Sequence, residues 1–161
     1  MAEILAQLES LGRESYRKVL FNHGIQRPVF GVKIEELKKC QRQIKQDYVL
    51  SHELYDTGNY DAQYLAGLIA DPAKMTKKDL QHWLATANSP ATCGTVGALV
   101  AGKRGFATDM ARRWIASRKK TTASHGWQTL SKRITHRAPH ALALDGLKRH
   151  LHNDDEAMAE R

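Results

Sequence analysis

Four basic clusters carry the most chemically suggestive spacing in this 161-residue chain: Lys103-Arg104, Arg112-Arg113, Arg118-Lys119-Lys120 and Lys132-Arg133. They recur along successive predicted helices with few acids between them. That pattern suits phosphate contacts, which position a nucleic acid without reading its sequence. The competing reading is a solvated basic face, and the charge distribution favours the first. Residues 1–100 hold 12 Lys/Arg against 11 Asp/Glu, whereas residues 101–150 hold 12 Lys/Arg against only Asp109 and Asp145. A segment so one-sided repels itself and needs an anionic partner. Residues 151–161 reverse the sign, with Asp154, Asp155, Glu156 and Glu160 against Arg161, and the chain nets +8.

The other reactive side chains are weaker candidates. His125, beside Gly126-Trp127, offers a phosphate contact or acid–base work, a capping or packing role being the plainer reading. His136 and His140 stand four apart, a metal-ligand spacing on a helix. Pro139 between them argues for a solvated loop, and no HExxH motif is present. Cys40 and Cys93 lack neighbours at ligand spacing and read as small, reduced, buried side chains. No metal and no cofactor is expected.

The elements that must position these residues are helical almost throughout. Ile4, Leu5, Leu8, Leu11, Tyr16, Val19 and Leu20 follow helical spacing up to His23-Gly24. Ile25–Gly31, with Pro28, is a connector. Ile34, Leu37, Cys40, Gln41 and Ile44 form the next stripe, and Asp47 can cap a short helix that ends at Thr57-Gly58. Ala62, Ala66 and Ala70 lie four apart on a helix that a neighbour can approach closely. Thr76 with Asp79 resembles a capping box opening a helix through Leu80, Trp83 and Leu84. Asn88-Ser89-Pro90 is a break, with Pro90 suited to a first helical position. Met110, Ala111, Trp114 and Ile115 give another stripe, followed by helices near Thr121–Ile134 and Leu142–Leu151. The fold class is therefore all-α, with eight or nine short helices. Periodicity leaves a compact bundle and a solenoid of helix pairs equally open. No apolar run approaches the roughly 20 residues that span a bilayer, and the N-terminal sequence lacks the basic-then-apolar pattern of a signal peptide. A cytoplasmic protein is expected.

One run of motifs is more specific. It comprises Phe30-Gly31-Val32-Lys33, then Thr57-Gly58-Asn59-Tyr60-Asp61-Ala62, Ile69-Ala70-Asp71-Pro72, Met75-Thr76, Trp83, Trp114-Ile115-Ala116-Ser117 and Gly126-Trp127-Gln128-Thr129-Leu130. From about Tyr16 to Leu130 the chain resembles the DNA alkylation repair enzyme family of HEAT-like-repeat glycosylases. The resemblance implies a right-handed α-solenoid of helix pairs whose concave basic face holds duplex DNA. It also implies release of N-alkylated purines such as 3-methyladenine and 7-methylguanine. Such a base is cationic, so an aromatic face, a carboxylate and an arginine together would stabilise the departing base and the positive sugar.

Carried over position by position, that chemistry meets substitutions. The family's Trp falls on Pro90, its Asp on Gly94 and its Arg on Ser124. A shift of register does not restore the set, because no Asp, Glu or Trp occurs from Leu84 to Thr108. The resemblance also implies further helices where this sequence has the acidic segment Asn153–Arg161, as in a short variant. The expectation is a single HEAT-like domain over 1–152 and an acidic tail over 153–161. It binds duplex DNA independently of sequence through the four clusters and His125, with weak or absent glycosylase activity. The alternative is a non-catalytic module that binds a protein or structured RNA.

Overall fold

The computed structural model describes residues 1–89, 91–92, 94, 107–118 and 120–137. Among them are eight helices and no strand: α1 (Ala2–Leu11), α2 (Glu14–Asn22), α3 (Ile34–Ile44), α4 (Tyr48–Asp56), α5 (Tyr60–Ile69), α6 (Lys77–Thr86), α7 (Ala107–Ile115) and α8 (Lys120–Arg137). The stretch expected to be helical near Leu142–Leu151, the acidic segment and Cys93 lie outside the described residues.

The first apolar stripe is not one helix but two. Gly12 and Arg13 are extended, and the Arg13 amide donates to the Gly31 carbonyl at 3.0 Å. A side chain at Gly12 would collide with the Phe30 carbonyl oxygen. The break is therefore what lets residues 25–33 lie against the first helix pair. Helical spacing runs unbroken through such a kink, so periodicity alone does not reveal it.

The motif run over residues 57–62 has a physical account at each position. Thr57 donates its hydroxyl to the Leu54 carbonyl and accepts from the Asn59 amide. Gly58 has φ +67°, which L side chains rarely adopt. Asn59 caps α5, its Oδ1 accepting from the amides of Asp61 and Ala62. The Tyr60 amide donates to the Pro28 carbonyl at 3.0 Å. Ala62 is fully buried, as is Ala66, so α5 sits tightly among its neighbours. Asp61 is fully buried too, and its carboxylate accepts three amides of the connector: Phe30 at 2.7 Å, Gly31 at 3.0 Å and Val32 at 3.0 Å. Burial pushes this carboxyl's pKa up, and the three amides pull it back.

A second buried junction ties α4, α5 and α6. Gln63 donates to the carbonyls of Tyr55 and Thr86 and accepts from the Asn88 amide. Tyr55 stacks on Trp83 with ring centroids 4.1 Å apart and donates its hydroxyl to the Trp83 carbonyl at 2.7 Å. Asp47 caps α4, and Thr76 with Asp79 forms the expected capping box on α6. Ser89 and Thr92 bond reciprocally at the next break.

Leu8, Leu37, Leu54, Leu65, Ile69, Leu80 and Trp83 join Met110 and Trp114 in one continuous core. Leu20, Ile25, Val29 and Tyr60 make a smaller one under the connector. Each such fully buried side chain stabilises the fold by about 1.5–3 kcal/mol. Helices α7 and α8 pack on each other through Gly126, where a Cβ would stand 2.6 Å from the Ile115 nitrogen and 2.7 Å from the Ala111 oxygen. Both obstacles are backbone, so the helices would have to part. Gly126→Ala is expected to destabilise the protein by about 1–3 kcal/mol in urea unfolding. An unchanged midpoint would show that α8 can shift freely. Helix α8 also runs past the expected Ile134 to Arg137, two residues before Pro139. His136 thus lies in a helix rather than a loop, because proline disfavours α geometry only in itself and the residue before it.

Candidate nucleic-acid interface

Helix α7 separates its residues cleanly by type. Met110, Ala111 and Trp114 are buried, while Asp109, Arg112 and Arg113 are exposed. The two arginines occupy the last turn, where a positive charge suits the helix dipole. Arg118 follows in a bend and is exposed. None of the three makes an ion pair among the described residues. Lys120, Lys132 and Arg133 lie on α8. Lys103, Arg104 and Lys119 lie outside the described residues.

His125, the other sequence candidate, has a different setting. It is 1% exposed, and neither ring nitrogen is held in a well-formed hydrogen bond among the described residues. Contact with a phosphate would require the packed helices around it to open. Burial lowers its pKa below the ordinary 6.5, with the nearby Gln128 side chain opposing. The folded state thus resists protonation of this ring, while the unfolded state accepts it at the ordinary value. Stability is complete above pH 6.5 and is lost as pH falls below it, by at most about 1.4 kcal/mol per pH unit. Urea midpoints measured across this range should fall with pH, and His125→Leu should flatten the slope. An equal slope in the variant would assign the effect elsewhere.

One of the places where the resemblance expects glycosylase chemistry, Gly94, lies close to α8. A Cβ at Gly94 would lie 3.5 Å from Gln128 Oε1, and Gln128 is one helical turn beyond Ser124 on α8. Gln128 is a neutral amide, and the places of the family's Asp and Arg hold Gly94 and Ser124. Such a set supplies hydrogen bonds but no fixed charge against a developing cation. Sequence reasoning singled out His125 here and passed over Gln128 and the buried Thr129. The small residue Gly126, which brings α7 and α8 together, was the available signal. Among the described residues no group of three or more His, Cys, Asp or Glu could hold a metal ion, and no helix is long and apolar enough to cross a membrane.

Comparison with known proteins fits this architecture. The uncharacterized protein Lin0241 of Listeria innocua serovar 6a is 33% identical over 143 residues, covering 86% of this chain and 63% of that protein. The uncharacterized protein Lmo0209 of Listeria monocytogenes serovar 1/2a is 32% identical over 133 residues, covering 80% of this chain and 59% of that one. A solved structure superimposes with a TM-score of 0.78 at 35% identity, covering 85% of this chain and 58% of its own. It belongs to a group described as a new family of proteins related to the HEAT-like repeat DNA glycosylases with affinity for branched DNA structures. The chain spans less than two thirds of the length of each of these relatives. The solenoid reading is thus the one the fold bears out over the compact bundle. With the family model for the DNA alkylation repair enzyme matching residues 4–159, this all-helical, HEAT-like chain belongs to the DNA alkylation repair enzyme family.

Proposed function

We propose that the protein binds DNA through sequence-independent phosphate contacts and does so without efficient release of alkylated bases. The observation that carries this reading is the trio Arg112, Arg113 and Arg118, solvent-facing and without a carboxylate partner among the described residues, on a family scaffold. In this proposal Lys103, Arg104, Lys119, Lys120, Lys132 and Arg133 supply further phosphate contacts. The affinity of the structural relative's family for branched DNA supports a bent or branched duplex as the preferred form. A curved face gains contacts when two arms leave one point, since phosphates on both arms come within reach.

The substitution of the family's Trp, Asp and Arg places by Pro90, Gly94 and Ser124 supports the second half of the proposal. Cleavage of an N-glycosidic bond builds positive charge on the sugar, and preorganised opposite charge is the usual source of rate. Fluorescence anisotropy with a labelled four-way junction and a matched linear duplex, over a salt series, tests the reading. Binding that weakens steeply with salt and favours the junction is expected. A flat salt response, or capture of an acidic protein that DNA does not displace, would overturn it. A 7-methylguanine duplex incubated with the protein should release no base above background.

A further inference from the structure

A cleft of about 290 Å³ lies far in sequence from the basic face, lined by Glu9, Arg17, Phe21, Arg27, Phe30 and Asn59 among others. We propose that it receives one nucleotide unit, a planar base carrying a phosphate. Its source is an unpaired residue at a branch or strand end if the DNA reading above holds, and a free nucleotide otherwise.

Both arginines keep N–H donors that no partner among the described residues takes up. The Arg27 guanidinium carbon sits 5.3 Å from the Phe21 ring centroid. Arg27 has no ion-pair partner among the described residues. Arg17 shares one Nη with Glu14 at 2.5 Å, and its Nε is buried without a hydrogen-bond partner. A guanidinium on an aromatic face presents its other side to a second planar group, and its edge to a phosphate. Arg27 can therefore sandwich a base or hold its phosphate, while Phe21 and Phe30 supply apolar wall. Glu9 carboxylate oxygens can accept from the exocyclic amine of adenine, cytosine or guanine.

The walls are fixed before any ligand arrives. The Arg13 amide holds the Gly31 carbonyl, the Tyr60 amide holds the Pro28 carbonyl, and Asp61 holds the amides of Phe30, Gly31 and Val32. Gly31 has φ +84°, and a Cβ there would stand 2.5 Å from Arg17 Cγ, so the bare backbone is what seats the Arg17 stem. Preorganisation of this kind reduces the ordering cost of binding. The volume falls at the small end of ligand sites, about 300–1,000 Å³. That is enough for a single nucleotide unit.

The test uses dAMP, deoxyadenosine and two DNAs on the full chain. Arginine Nε–H resonances of Arg17 and Arg27 should shift saturably with millimolar dAMP and far less with deoxyadenosine, and Arg27→Gln should abolish the response. Arg27 is exposed, so an unchanged thermal melt will show that the variant is folded. If an unpaired strand residue is the occupant, Arg27→Gln lowers affinity for a forked duplex about tenfold, the size of one lost charged contact, and leaves a fully paired duplex unaffected. A dAMP response with unchanged fork affinity assigns the cleft to a free nucleotide. Failure of the parent protein to bind any DNA removes the DNA reading and leaves the dAMP response to decide the cleft. No shift of either arginine with dAMP, together with equal fork affinity, overturns the proposal.

Discussion

Replacing Arg112, Arg113 and Arg118 together by glutamine is expected to weaken binding to a labelled DNA junction by roughly 10²–10³-fold at about 0.1 M salt. Each neutralised phosphate contributes about 0.9 to the slope of log affinity against log salt. Three lost contacts should flatten that slope by about 2.7. The slope is the sharper readout, because a general loss of folded protein lowers the apparent affinity without changing how salt acts. Folding itself should be untouched, since all three side chains are exposed and none makes an ion pair among the described residues. Surface substitutions of this type usually move stability by less than about 0.5 kcal/mol. An unaltered slope in the triple variant would remove these arginines from the interface.

Asp61→Ala is expected to have the largest effect on stability, a loss of about 3–6 kcal/mol in chemical denaturation. The substitution strips the acceptor from three amides at once, those of Phe30, Gly31 and Val32. Each buried donor left unpaired costs about 1–3 kcal/mol. Against a total of about 5–15 kcal/mol for an ordinary domain, that brings the protein close to unfolding. Asp61→Asn should cost less. One amide oxygen can still accept from Phe30 and Gly31, as Oδ2 does now, but the amide NH₂ would then face the Val32 donor. An alanine variant with a normal urea midpoint would mean that water replaces the carboxylate and that the connector does not depend on it.

The helices were legible because their signals are local. Asp47 and Thr76 are side chains whose oxygens cap the amide three residues on, and each does so here. The alanines of α5 lie on one stripe and are buried on it. The family run over residues 57–62 was legible as a pattern before its cause was visible. Asp61 looks in sequence like an ordinary acid in a first helical turn, where it would favour the dipole. Its actual partners lie 29 to 31 residues earlier, and nothing local announces them. Gly12 was silent for the same reason, since the carbonyl it must approach belongs to Phe30. The basic segment was half legible. Charge excess marked the segment, yet only the burial of Met110, Ala111 and Trp114 determines that Arg112 and Arg113 point outward. The Arg17–Arg27 cleft left no trace at all, as it is assembled from two helices, a connector and a cap.

The Asp61 clasp bears on the order in which the protein is made. Every partner of that clasp, and every partner of the Gln63 junction, falls within the first 88 residues. A nascent chain on the ribosome thus carries all the groups needed to close both before α7 has been synthesised. Translation adds about 5–20 residues per second, whereas helices form in about a microsecond or less. The earlier helices therefore have seconds in which to condense. Met110 and Trp114, the apolar side chains that complete the main core, then emerge to meet a surface already built to receive them. The basic segment follows as the last described part of the chain to settle.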